Sequence, residues 1–233
     1  MRGPLVIAVA QPFCVSHDIA ANAVRHGDAV RSANAGVVVF PELSLTGYEL
    51  DAEAITAADS RLSPIVEACA ETGSTALVGA VTIEDGHSYI AMLAVDGDGS
   101  SVAYRKIWLH STETARCTPG PGPVVLDLDG WRLGLAICKD TGTARHAADT
   151  AALGMDVYVA GVVHTADEAA LHGERARRVA ADHDVWAATA SFAGPTGGGF
   201  ARTAGRSGIW SADGVAVAQA GPDTGEIARA TIT

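Results

Sequence analysis

Positive charge is what this chain has least of. Its 233 residues carry 16 Lys and Arg against 27 Asp and Glu, a formal charge of −11. No stretch gathers the basic residues into a cluster. Nucleic-acid binding is driven largely by Lys and Arg displacing counterions, so no nucleic-acid partner is expected. Long apolar runs are missing as well. The opening MRGPLVIAVAQ holds one Arg and a short apolar run that Gln11 and Pro12 end, well before a signal-peptide or membrane-spanning length. The expectation is a cytoplasmic protein with no membrane partner. Cys14, Cys69, Cys117 and Cys138 are widely spaced with no CxxC pair, so they read as free thiols. No HxH or HExxH spacing links His17, His110 and His164, and no metal is expected. Gly197 to Gly199 lacks a Walker or dinucleotide context, which makes it a loop or lid rather than a phosphate cradle.

What is present is core-forming. Hydrophobic residues make up 48% of the chain and charged residues 18%, a balance that argues against disorder. No composition break, repeat or low-complexity tract divides it, so one domain over residues 1–233 is expected. The periodicity alternates between strand and helix. LVIAVA (5–10) reads as a strand, followed by a helix from an N-cap at Ser16 to about Asn34 with Ile19, Ala23, Val30 and Ala33 near one face. VVVF (37–40) is a buried strand that Pro41 stops. A helix over 59–72 precedes strands at 76–83 and 89–96, joined through the turn Glu84-Asp85-Gly86-His87, and a strand at 102–106. Beyond the Pro- and Gly-rich turn at 119–123 come VVLDLD, WRLGLAIC, a helix over 144–153, the strand MDVYVAGVV, a helix over 166–184, WAATAS (186–191), and two strands about Asp213-Gly214. Sheets covered by helices are the architecture this pattern favours.

Three ionisable groups share one circumstance. Glu42 follows VVVFP, Lys106 ends VAYR and Cys138 ends LGLAI, so each lies where a predicted strand gives way to a loop, where ligand sites of sheet proteins gather. A thiol attacks as thiolate. It needs a base to take its proton and a cation or donors for the charge that develops on the substrate. Glutamate, lysine and cysteine supply these parts. Taken singly, each has a plainer reading: a packing thiol, a cap for the segment 44–48 and a solvated strand-end cation.

The wording around them decides between these readings. FPELSLTGY (40–48), YRKIWL (104–109) and GLAICKD (134–140), in that order, resemble the three signature segments of the nitrilase, or carbon-nitrogen hydrolase, superfamily. AVAQP, GMDVYVAG and GRSGIWSADGVAVAQAG extend the resemblance over nearly the whole chain. It implies an α/β fold, a four-layer α-β-β-α sandwich of two mixed sheets covered by helices. It also implies a Glu-Lys-Cys triad with Glu42 as general base, Lys106 as the cation that steadies the tetrahedral intermediate and Cys138 as nucleophile. Glu113, seven residues before Gly120, falls where the family carries a second glutamate that orients the lysine and substrate. The implied partner is a small-molecule amide or nitrile. The implied assembly is a homodimer or a higher homo-oligomer, and no cofactor is required.

The sequence also departs from the family. After the nucleophile comes Lys139 rather than an aromatic residue. Lys139 pairs with an anionic substrate or lowers the thiol pKa, or else points away from the pocket; Arg145 is a weaker candidate for the first role. VAADHDVW (179–186) carries Asp182 and His183 where the family has Glu and Asn. His110, His164 and Tyr48 line the pocket, or stand as loop and packing residues; Trp108 is open to the same two readings. Thr141 or Thr143, capping the next helix, would aim its dipole at the thiolate. Two functions follow: an amidase, with nitrile or N-carbamoyl hydrolysis as variants, or a non-catalytic binding or regulatory protein that keeps the fold.

Overall fold

The computed structural model describes residues 2–233. In chain order the elements are β1 (Leu5–Ala10), α1 (Ile19–Ala33), β2 (Val37–Val39), α2 (Ser63–Thr72), β3 (Thr75–Glu84), β4 (His87–Asp96), β5 (Gly99–Arg105), β6 (Val125–Leu128), β7 (Trp131–Ile137), α3 (Lys139–Gly142), α4 (Ala144–Ala152), β8 (Val157–Val162), α5 (Ala169–His183), β9 (Trp186–Ser191), β10 (Ala193–Gly194), β11 (Thr203–Ala204), β12 (Gly208–Trp210), β13 (Ala216–Gln219) and β14 (Ile227–Ile232).

Two six-stranded sheets run in the orders β14-β1-β2-β3-β4-β5 and β13-β12-β9-β8-β7-β6. In the first, β1, β2 and β3 are parallel; in the second, β7, β8 and β9 are. The outer strands join antiparallel, so both sheets are mixed. Parallel neighbours need a crossover, and helices supply it: α1 and α2 in the first sheet, α3 with α4 and then α5 in the second. A strand covered on both faces has no polar side to show, which is why VVV of β2 and VYVAGV of β8 are apolar throughout and fully buried.

The inner faces of the sheets meet in one core. β1 and β2 contact β8 and β9 across the sandwich, and Ile7, Val9, Val37 and Val39 belong to the same apolar cluster as Leu135, Ile137 and Val159. The outer face of the first sheet, with Ala8, Val38 and Val78, is closed by Ile19, Ala23 and Val30 of α1 and Ile65 and Ala68 of α2. On the second sheet Ala176 and Ala180 of α5 pack on Ala187 and Trp210. The result is an α-β-β-α sandwich, as the sequence resemblance implied.

Two local readings need correction. Ser16 does not cap α1. Asp18 does, accepting from Ala21 N at 2.9 Å, while the Ser16 hydroxyl donates to Glu49 Oε1 at 2.5 Å. The second is β14, which the sequence reading left without structure. It pairs along β1 from Leu5↔Ile232 to Ala10↔Ile227, with Ala228 and Ile232 facing the core and Arg229 and Thr231 facing out.

Candidate active site

Glu42 is delivered by a turn squeezed between the two sheets. Phe40 and Pro41 carry the chain off the end of β2, and Gly79 of β3 and Gly161 of β8 stand on either side of them. A Cβ on Gly79 would run into Pro41 O and Leu43 N. One on Gly161 would sit 2.7 Å from Phe40 O and 3.0 Å from Glu42 N. Both positions therefore require glycine, and it is this close approach that puts a carboxylate inside the sandwich. Lys106 follows β5 directly, anchored by its N–H on Ile90 O at 2.8 Å. Cys138 follows β7, its N–H donating to Gly161 O at 3.0 Å. Its backbone is left-handed, φ 44° and ψ −97°, a conformation that costs a non-glycine residue roughly 1–3 kcal/mol and that clusters at functional sites.

These three ends converge. The Lys106 ammonium, wholly buried, donates to Glu42 Oε1 at 2.7 Å and to Glu113 Oε1 at 2.8 Å. Glu113 is held in turn by His110 N–H on Oε2 at 2.8 Å, with the Tyr48 hydroxyl 3.5 Å from Oε1. The Cys138 thiol donates to Val163 O at 3.6 Å and is close enough to Glu42 to hold down the carboxylate's proton affinity. Glu42 Oε2 has no hydrogen-bond partner among the described residues.

Burial governs the charges. It pushes Glu42 up to about 7; the Lys106 charge opposes the shift and the Glu113 charge adds to it. Burial also pushes the Cys138 thiol up, to about 12, helped by the Glu42 charge and countered by Lys106. Lys106 also moves up, but against burial rather than because of it. Burial alone would neutralise it, but Glu42, Cys138 and Glu113 outweigh that and hold the ammonium above its ordinary value. The resting cluster is a neutral thiol, an ammonium and a carboxylate that titrates near neutrality.

A second buried network holds the frame. Asp140 accepts from Ile137 N–H at 3.0 Å and the Tyr104 hydroxyl at 2.7 Å on Oδ2, and from Trp108 N–H at 2.9 Å on Oδ1. One carboxylate thus ties the segment that ends in Cys138 to the segment that follows Lys106. Burial keeps His146 neutral. Its Nε2–H then serves the Tyr104 oxygen at 2.9 Å while Nδ1 accepts from the Tyr158 hydroxyl at 3.0 Å. The expected threonine caps are absent. Thr141 Oγ1 donates to Cys138 O at 2.7 Å and Thr143 Oγ1 to Lys139 O at 3.1 Å, so neither hydroxyl serves a helix N-terminus. The thiol gains no lowered pKa from that source.

Cys138 opens into a cavity of about 510 Å³. Tyr48, His110 and His164 line it. Lys139 does not: its Nζ donates to Leu109 O at 2.6 Å, which satisfies the ammonium on the backbone that follows the lysine segment. Arg145 is exposed and paired with Asp149 at 3.3 Å. The cavity's cation is Arg175, which the sequence reading passed over. Its signal was present, because Glu168, Leu171 and Arg175 fall at helical spacing on the predicted 166–184 helix and all three line the cavity. Phe200 and Gly198 bring the glycine loop to the same wall. That loop is tied by Gly197 N–H and the Thr196 hydroxyl to Gly47 O, at 2.6 and 2.7 Å. Among the described residues, the side chains grouped closely enough to hold a metal are His17, Glu49 and Asp51, outside the cavity lining, where His17 Nε2 already bonds Asp51 Oδ1 at 2.9 Å.

Comparison with known proteins gives a consistent picture. A family model described as "Carbon-nitrogen hydrolase" matches residues 6–233. A curated Pseudomonas protegens protein described as "Hydrolase in pqqF 5'region" is 28% identical over 219 residues, 88% of this chain and 75% of that one. An (R)-stereoselective amidase of a Pseudomonas species is 25% identical over 135 residues, 56% of this chain and only 49% of the relative. Among solved structures, a cysteine-to-alanine mutant of the Nesterenkonia AN1 amidase from the nitrilase superfamily superposes with a TM-score of 0.87 at 22% identity, covering 100% of this chain and 92% of that one. Saccharomyces cerevisiae Nit3, a member of branch 10 of that superfamily, gives 0.86 at 21% identity, covering 98% and 90%. The structural likeness is one of fold.

Proposed function

Because the chain belongs to the carbon-nitrogen hydrolase family, and is an enzyme of that kind, we propose that it hydrolyses the C–N bond of a small amide through an acyl group carried on Cys138. The observation that carries this reading is the wholly buried Lys106 ammonium gripped between Glu42 and Glu113, with a thiol beside Glu42 at the cavity wall.

In the first half-reaction Glu42, ionised, takes the thiol proton as sulfur forms its bond to the amide carbonyl carbon. The electron pair of the carbonyl moves to oxygen, where the Lys106 ammonium and the backbone N–H of Lys139 meet it. When that pair returns, the C–N bond breaks, and protonated Glu42 gives its proton to the departing nitrogen. Ammonia or an amine leaves and a thioester remains. In the second half, Glu42 takes a proton from water, the resulting oxygen attacks the thioester, and sulfur leaves as the thiol with that proton. A carboxylic acid is released and Glu42 is ionised again. Glu113 holds Lys106 on the reacting side throughout. Nothing in this cycle calls for a metal or organic cofactor.

An amidase related over half of this chain supports an amide over a nitrile. The complete cluster supports turnover over a binding or regulatory role. The reading includes one catalytic domain over residues 1–233, a homodimer or higher assembly, a cytoplasmic setting and no nucleic-acid or membrane partner; no helix among the described residues is long and apolar enough to cross a membrane. Ammonia release from a panel of small amides tests the chemistry. The wild type should release it, and Cys138→Ala should lose at least 1,000-fold in kcat/KM. Equal activity of the two proteins would remove Cys138 from the mechanism.

A further inference from the structure

An ionisable group that the proposed cycle does not use is buried against the segment that carries Glu42. His26 of α1 is wholly buried, and burial keeps its ring neutral, with a pKa lowered to about 4. Nδ1–H donates to the Asn22 carbonyl at 2.7 Å, so Nε2 is the acceptor, and the Ser44 hydroxyl donates to it at 2.8 Å. The same ring lies against Phe40, with the centroids 4.3 Å apart. Phe40 and Ser44 stand two residues before and two residues after Glu42. One imidazole therefore holds both ends of the turn that presents the carboxylate.

That turn needs holding. Leu43, next to Glu42, is left-handed at φ 51°, a conformation that a non-glycine residue keeps only where its surroundings over-determine it. Its apolar side chains are divided between two clusters: Leu43 packs between the sheets, while Phe40 and Leu45 pack in the cluster that α1 closes. A second residue of α1, one helical turn before His26, grips the far end of the turn. Asn22 Nδ2 donates to Leu45 O at 2.9 Å and to Val15 O at 2.7 Å, and its Oδ1 accepts from Val15 N–H at 2.7 Å. The helix is itself fixed. At Gly27 an added Cβ would stand 2.6 Å from Pro64 O, so α1 lies tightly against the start of α2.

Building on the amide-hydrolase reading above, we propose that His26 is a positioning residue for Glu42: its hydrogen bond with Ser44 and its contact with Phe40 fix the turn so that the carboxylate stays on Lys106 and beside the Cys138 thiol. Without that bond Leu43 relaxes and the carboxylate withdraws from the ammonium, which leaves the base both misplaced and harder to ionise. The groups facing Glu42 are Lys106, Glu113 and Cys138, and Lys106 favours the ionised form through its charge and its hydrogen bond.

Ser44→Ala removes the hydroxyl, and His26→Phe keeps a ring against Phe40 but removes the acceptor. Each full-length variant is compared with the wild type in two assays across pH: kcat and KM with an accepted amide, and alkylation by iodoacetamide read at the peptide that contains Cys138. In the alkylation sulfur bonds to the methylene carbon, iodide leaves and Glu42 takes the thiol proton, so the acid limb reports the same carboxylate without amide turnover. Each variant should lower kcat about 10- to 100-fold with KM changed less than about threefold, and should move the acid limb of both profiles up by at least about 0.5 pH unit. The double variant should be no slower than the slower single variant, because both substitutions break one hydrogen bond. An alkylation limb that Ser44→Ala does not raise overturns the assignment; so does a kcat that Ser44→Ala leaves intact, or losses that multiply in the double variant. Ser44→Ala decides alone if His26→Phe does not fold. Absence of ammonia from every amide alongside an alkylation limb that Ser44→Ala raises would instead overturn the hydrolase reading and leave the positioning role standing.

Discussion

Under the proposed mechanism, with Glu42 as the base, this residue sets the pH behaviour of the site. The base must be ionised to take the thiol proton, and burial has moved its pKa from 4.5 to about 7. Activity should therefore fall below neutrality. A profile of kcat/KM should drop tenfold per unit below about pH 7 and stay level above it, because Lys106 is held charged. The stability sign is opposite. A carboxyl whose folded pKa is raised stabilises the fold below its unfolded pKa and loses that contribution as pH rises through about 7, so Glu42 is least favourable to folding in its ionised form, the form the proposed mechanism uses. Lys106 is one of only two lysines in the chain. Replacing it with Met would leave two buried carboxylates without a cation, and chemical denaturation should show a loss of about 3–5 kcal/mol. At this scale the sequence was legible wherever chemistry and motif coincided, as at Glu42, Lys106, Glu113 and Cys138. It was illegible where a side chain's partner is set only by tertiary structure. Lys139 finds a carbonyl 30 residues away, and Arg175 reaches its place because Gly142 has no side chain.

Elements place the residues, and glycine decides how closely the elements approach. Gly161→Ala would force the Glu42 turn away from β8; it should destabilise the protein by about 1–3 kcal/mol or more and reduce kcat more than KM. Gly122→Ala is the control, since nothing lies within 4 Å of a Cβ there, and its stability should stay within about 0.5 kcal/mol of wild type. Thermal or denaturant unfolding with steady-state kinetics checks both. Strong periodicity made most strands and helices readable. β14 escaped because its inward positions hold Ala228 beside the apolar Ile232, too little hydrophobic contrast to stand out in the final residues, although the alternation is regular in the structure. Ile232→Ala should cost about 2–5 kcal/mol and loosen the pairing with β1.

The whole molecule makes the site by closing one sheet on the other. Glu42 and Lys106 come from ends of the first sheet and Cys138 from an end of the second, so no single layer holds the cluster. Periodicity cannot supply that closure, because strand order and sheet facing are not local properties. The resemblance to a known family supplied it instead. The formal charge of −11 also acts at this scale, for Arg175 is the one residue of fixed positive charge that lines the cavity of this acidic chain.

Intact-mass measurement and peptide mapping of enzyme quenched during turnover of an accepted amide tests the acyl-enzyme most directly. The account predicts an added mass equal to the acyl group, confined to the peptide that contains Cys138 and lost on Cys138→Ala. Steady ammonia release with that peptide unmodified, or with the acyl group on another residue, would contradict it.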